Sequence, residues 1–291
     1  MKLSCFSLVI LLTFLDLLPF AHAQEKPLPH LTQEGHKSQL LVNGKPFIML
    51  AGEVHNSSSS SLKYMDEHVW PELVALNCNT AIVTISWELF EPEEGQYDTS
   101  LIDGLIESAR QHNLKLVVIW FASWKNAWST YAPAWVKQTT DRFPRAQLKS
   151  GDTMGTLSAL GQASCAADAG AFAALMRRIR EIDAKEQTVI MMQVENETGI
   201  LNTDRDYSPL ANKAFGKNVP QKLIDYLLNN KSKLHPDMQA LWEETGFRTS
   251  GIWSDVFGEH APEVFMAWHT ASSWTGDGPR SASTTRLQGS V

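Results

Sequence analysis

The chain has 291 residues and a formal charge of −7, from 25 Lys plus Arg against 32 Asp plus Glu. That length supports a sizeable core and excludes a disulfide-stapled miniprotein, and an acidic chain with no basic block argues against nucleic acid or an anionic membrane surface as a partner. Ten Trp, twelve Phe and five Tyr beside only 20% charged residues exclude intrinsic disorder.

Met1-Lys2, an apolar run from Leu8 to Leu18 and the small-x-small triplet Ala21-His22-Ala23 form a secretory signal pattern, with residues 1–23 removed. Asp16 and Pro19 interrupt the run and leave it shorter than the roughly 20 residues of a membrane span. Stable membrane insertion is therefore not expected, and the mature chain is expected in the periplasm or outside the cell. Cys5 leaves with this segment; Cys78 and Cys165 belong to no C-x-x-C or metal spacing and are expected as buried thiols, with a disulfide as the alternative in an oxidising compartment. Nine scattered histidines contain no H-E-x-x-H or H-x-H cluster, so no metal is expected, nor any other cofactor.

Further along, apolar runs alternate with helical periods, the pattern of βαβ units on a parallel sheet. Residues 47–52 read as a first strand. Leu62, Met65, Val69, Leu73 and Leu76 make a helical stripe over 62–76, with serines at 57–61 as caps and Pro71 predicting a kink or restart. Residues 80–85 read as a second strand, 101–112 as a helix, and 115–121 as a third strand whose LVVIWF run suits burial on both faces.

The connection over 122–164 is far longer than the usual strand-to-helix loop, and such loops at the carboxyl ends of parallel strands carry function. It holds Trp124, Trp128, Tyr131 and Trp135. A strong helix follows over 166–185, then a fourth strand over 189–194, then helices near 220–229, 238–245 and 262–270. Residues 272–291 are rich in Ser, Thr, Gly and Arg without hydrophobic period, an irregular polar tail that suggests truncation or a shifted reading frame. The expected fold class is α/β, a (β/α)8 TIM-barrel type truncated after about four βα units, with 24–271 as the amino-terminal half of the barrel. A compact four-stranded α/β domain is the alternative. Open strand edges would favour self-association.

The fourth strand carries the chemistry, because it runs directly into Glu195-Asn196-Glu197. A period of two places Ile190, Met192 and Val194 on one face, toward helices, and Gln193, Glu195 and Glu197 on the other, so two carboxylates are expected in one polar lumen. Crowding raises the pKa of at least one of them, as a general acid near neutral pH requires.

Gln193-Val194-Glu195-Asn196-Glu197 resembles the fourth-strand motif of glycoside hydrolase family 35, the β-galactosidases. Ala51-Gly52-Glu53-Val54-His55 resembles the end of that family's first strand. Trp87-Glu88-Leu89-Phe90-Glu91-Pro92 with Gly95-Gln96-Tyr97 resembles the loop after its second strand, and the 57–61 serines with Trp124-Lys125-Asn126 look like a bacterial subgroup. The resemblance implies Glu197 as acid/base, Asn196 as ligand of the sugar hydroxyl beside the reacting carbon, and Glu195 as a supporting carboxylate. It implies sugar contact for Glu53, His55, Lys125 and Asn126, and stacking platforms in Trp87 and Trp124. The substrate implied is a terminal β-linked galactoside of an oligo- or polysaccharide.

A retaining mechanism needs a second carboxylate, which the family supplies from its seventh strand, and no position here is assigned as nucleophile. Glu243, Glu244, Glu259 and Glu263 lie in helical stretches and read as solvated faces. Two other functions stay open: a noncatalytic carbohydrate-binding remnant, and a related barrel hydrolase acting on β-glucan or mannan.

Overall fold

The computed structural model describes residues 27–275; the signal-like segment 1–23 and residues 276–291 of the polar tail lie outside the described residues. The chain divides into two units, one up to Phe47 and one from Ile48 onward.

In the first unit, strands β1 (His30–Glu34), β2 (Lys37–Val42) and β3 (Lys45–Pro46) form an antiparallel meander in the order β1-β2-β3. The turn from β2 to β3 is Asn43-Gly44, both at positive φ (52° and 71°), the backbone that a two-residue hairpin requires. This sheet is absent from the sequence reading above, although the Asn-Gly pair is its signal.

The second unit begins with β4 (Ala51–Glu53), shorter than the strand expected over 47–52. The Asn79 side chain explains the difference: it accepts from Leu50 N at 2.9 Å and donates to Ile48 O at 2.9 Å, so 48–50 is held by a side chain before the strand ladder starts. Helix α1 (Leu62–Tyr64) follows, capped by Ser61 Oγ, and a π turn over Met65–Val69 leads into α2 (Trp70–Ala75). The wide turn lies just ahead of Pro71, which has no N–H to continue an α ladder, so the expected irregularity is a π bulge.

Strand β5 (Thr80–Ser86), α3 (Trp87–Phe90), α4 (Ser100–Gln111) and β6 (Lys115–Phe121) come next. The long connection is not irregular: it contains α5 (Ala134–Gln138) and a hairpin of β7 (Arg145–Gln147) with β8 (Thr153–Leu157). Helix α6 (Gln162–Asp183) leads to β9 (Val189–Val194). The chain continues as α7 (Pro209–Phe215), α8 (Gln221–Asn229), α9 (Pro236–Glu243), α10 (Trp253–Phe257) and α11 (Ala261–Thr275), the last of which takes in the first residues of the polar tail.

The central sheet is parallel, in the order β4-β5-β6-β9. The fold is α/β, of the (β/α)8 barrel type, with four parallel strands among the described residues. Ala81, Val83 and Ile85 of β5 and Leu116, Val118 and Trp120 of β6 share one core with Ile102, Leu105, Ile106 and Ala109 of α4 and with Ala171, Leu175 and Ile179 of α6. The α4 residues recur at helical spacing, so one face of that helix is buried. Arg110 at its end reaches Asp183 Oδ1 at 2.6 Å, and Asp183 Oδ2 accepts from Val189 N at 2.7 Å, which ties α4, α6 and the start of β9 together. A separate cluster around Trp242, Trp253, Phe257 and Phe265 holds α7 to α11.

The expected alternation along β9 holds in part: Ile190 is buried and Met192 packs on the core, but Val194 is 48% exposed. Cys78 and Cys165 are thiols, half-buried where full burial was expected. Among the described residues, no helix is long and apolar enough to cross a membrane.

Leu105 is fully buried at the centre of the core. Leu105→Ala should cost about 2–5 kcal/mol in chemical denaturation, and a loss below about 1 kcal/mol would show that this core is not the stabilising one.

Candidate active site

At the carboxyl end of β9 the backbone passes through two left-handed residues, Glu195 (φ 65°) and Glu197 (φ 51°), on either side of Asn196. Side chains other than glycine disfavour this region, so the turn persists only because its surroundings hold it. It also ends the period-two alternation. The expectation that Glu195 and Glu197 share one lumen is therefore corrected: Glu195 is 2% exposed and turns beneath the neighbouring loop, whereas Glu197 is exposed.

The buried carboxyl of Glu195 accepts from Ser123 N at 2.9 Å and from Trp124 N at 2.7 Å. Asp168, on the buried face of α6, accepts from Trp120 Nε1 at 2.9 Å, Ser123 Oγ at 2.5 Å and Ser123 N at 3.2 Å, so it shares the Ser123 N–H with Glu195. Burial, and then the neighbouring Asp168, push the Glu195 carboxyl well above the usual carboxylate range; the two backbone N–H groups oppose that shift.

Lys125 Nζ meets the Glu197 carboxylate at 2.9 Å and also donates to Asn126 Oδ1. The same ammonium lies 5.3 Å from the centre of the Phe121 ring. Asn126 and Ala127 have positive φ, and Ala127 N donates to Glu197 O at 2.9 Å, so loop and strand-end turn are joined through main chain as well. The hairpin braces this loop from the other side: Thr156 Oγ1 donates to Ala127 O at 2.6 Å, and Ser129 Oγ joins Ser123 O to Leu157 N. Asn196 Oδ1 is buried without a hydrogen-bond partner, an unmet acceptor within the turn.

The other expected residues divide. Trp87 is fully buried, its Nε1 donating to Glu91 Oε2 at 2.7 Å, and it packs edge-on against Trp135; α3 begins immediately after β5 and turns the ring into the core. Trp124 is 4% exposed, clustered with Ala159 and Met266, because its own N–H is drawn down onto Glu195. Neither ring offers a free face for stacking. Glu53 and His55 are exposed at the end of β4, three strand positions from β9, roughly 14 Å along the sheet at about 4.8 Å per strand. Glu197, Lys125, Asn126 and Asn196 are thus gathered, while Glu53 and His55 are not joined to them.

Two residues beside the site were not assigned to it from the sequence: Trp128, noted there only as part of the long connection, and Asp168. Trp128 is 42% exposed beside this loop, and a Cβ on Gly155 would lie 2.4 Å from its ring, so glycine is what admits it. Asp168 occupies the same helical stripe as Ala171 and Leu175, and a carboxylate on an apolar stripe is the signal that could have found it.

A family model described as Beta-galactosidase, glycoside hydrolase family 42, matches residues 66–246. The human Beta-galactosidase-1-like protein 3 is 25% identical over 214 residues, covering 71% of this chain and 28% of that protein. Beta-galactosidase 14 of Arabidopsis thaliana is 30% identical over 82 residues, covering 27% of this chain and 8% of that protein. This chain thus spans under a third of the length of either relative. Among solved structures, the exo-beta-1,4-mannosidase Op5Man5 from Opitutaceae bacterium strain TAV5 aligns with a TM-score of 0.39 at 16% identity, over 60% of this chain and 28% of that one.

The raised Glu195 pKa fixes the sign of a pH effect. The folded state keeps a proton that the unfolded chain releases above its ordinary carboxylate value, so this contribution is full below that value and is lost as pH rises toward the folded one. His269, which burial pushes down to about 4, has the opposite slope at acid pH but is the same in both proteins compared. Thermal midpoints of the unmodified chain and Glu195→Gln should therefore converge, or cross in favour of Gln, as pH rises from 5; a constant difference would contradict the upward shift of the buried Glu195 carboxyl.

Proposed function

This chain belongs to the family of glycoside hydrolases described as Beta-galactosidase, and from that premise we propose that it carries the acid/base half of a retaining β-galactoside hydrolase site. The observation that supports this most is the Glu197 carboxylate, exposed at the carboxyl end of the fourth parallel strand and met at 2.9 Å by Lys125. Barrel enzymes place their chemistry at that end of the sheet. In this reading Glu197 protonates the glycosidic oxygen and later activates water, and Asn196 and Asn126 bind sugar hydroxyls. The narrower resemblance to family 35 belongs to the same proposal.

Double displacement needs a second carboxylate roughly 5–5.5 Å from the first. No residue is assigned as the nucleophile. A noncatalytic carbohydrate-binding role is the second reading, favoured by the pairing of Glu197 with an ammonium rather than with another carboxylate. Among the described residues, strands β4 and β9 each pair with one neighbour, and Ile48 and Leu50 before β4 and Met191 and Val194 in β9 are exposed, which supports self-association through these edges. Export through the segment 1–23 completes the proposal.

The test is hydrolysis of paired chromogenic β-galactoside and β-glucoside substrates by the purified chain and by Glu197→Gln. The proposal expects galactoside turnover that falls by about 10²-fold or more in the variant, as loss of a general acid/base does. Equal rates in both proteins would remove Glu197 from the role, and absence of turnover with retained galactoside binding would favour the second reading.

A further inference from the structure

Glu195 and Asp168 are both nearly inaccessible, at 2% and 3% exposure, and neither touches the exposed face where Glu197 lies. They come from different elements, the turn after β9 and the middle of α6, and they converge on the same backbone, Ser123-Trp124. Both accept from one N–H, that of Ser123, at 2.9 and 3.2 Å, and two carboxyl groups brought that close in a low-dielectric interior disfavour ionising together. Trp120 Nε1, Ser123 Oγ and the N–H groups of Ser123 and Trp124 are the donors that face the pair. The charged groups next along the loop and turn, Lys125 and Glu197, are paired with each other.

We propose that Asp168 is a positioning residue for the Glu197 turn: through Ser123 and Glu195 it fixes the 123–126 loop, and with it the Lys125 ammonium, in a clamp whose two buried carboxyl groups meet at the Ser123 N–H. The route is short. Asp168 holds Ser123 by N–H and hydroxyl, Glu195 holds the next N–H at Trp124, and the following residue supplies the ammonium at Glu197. Opening the loop exposes Glu195 to water and releases its proton, so the clamp weakens with rising pH. The raised pKa of Glu195 agrees with this direction. The relevance of the clamp to catalysis rests on Glu197 being the acid/base, but the clamp itself does not.

Hydrogen exchange followed by mass spectrometry tests it without turnover. The measurement is the opening equilibrium of peptides spanning 122–128, corrected for intrinsic exchange, between pH 5.5 and 7.5, in the unmodified chain, Glu195→Gln and Asp168→Asn. Opening coupled to release of one proton should increase by up to about tenfold per pH unit in the unmodified chain. It should be flat in Glu195→Gln and shallower in Asp168→Asn, with peptides of 169–183 unchanged in slope. A hydrogen bond that is merely structural would shift all pH values equally. Opening independent of pH in the unmodified chain, or the same slope in either variant, overturns the proposal; a failed galactoside assay beside the expected slopes would overturn the functional reading alone.

Discussion

The arrangement at the end of the fourth parallel strand depends on one buried cluster, in which Glu195 and Asp168 converge on the backbone of Ser123 and Glu195 also holds that of Trp124. A left-handed residue at the end of a strand is unfavourable by itself, and a carboxyl group in the interior is more so. Together they form a stable structure, because the left-handed turn aims the carboxyl at the backbone N–H groups of Ser123 and Trp124. The same turn sends Glu197 outward. The strained backbone and the buried acid are thus two aspects of one device, which keeps one glutamate hidden, its carboxyl pKa raised by burial, and the next one exposed.

The loop that completes the site is held from three directions. Glu195 and Asp168 grip its beginning, Glu197 accepts its Lys125 ammonium and the Ala127 N–H, and the β7–β8 hairpin braces Ala127 and Ser129. Such a loop is long in sequence yet has little freedom, which suits a site whose side chains must be placed before a ligand arrives. Beneath it, the core shared by β5, β6, α4 and α6 supplies the rigid support.

Much of the second unit was legible in the sequence. The β-branched run of β5 and the LVVIWF run of β6 announce strands, and the α4 stripe announces its helix, because burial on a regular element leaves a regular pattern. The Glu195-Asn196-Glu197 motif could be placed at a strand end for the same reason. Its side-chain directions could not, since a single left-handed φ at Glu195 reverses them and leaves no periodic trace. The tryptophans misled for a related reason: type and position are the same for a core ring as for an exposed one, and only packing makes Trp87 and Trp124 buried and Trp128 open. The first-unit meander left a local signal in Asn43-Gly44, and the hairpin inside the long connection left little, since β7 has only three residues.

The most direct test of this account is a double-mutant cycle on stability with Asp168→Asn, Glu195→Gln and the pair, near neutral pH. If the two carboxyl groups act as one hydrogen-bonded unit, the effects are non-additive, with a coupling of about 1 kcal/mol or more. Additivity within about 0.3 kcal/mol would mean that they do not hold the loop together, and the central claim would fail.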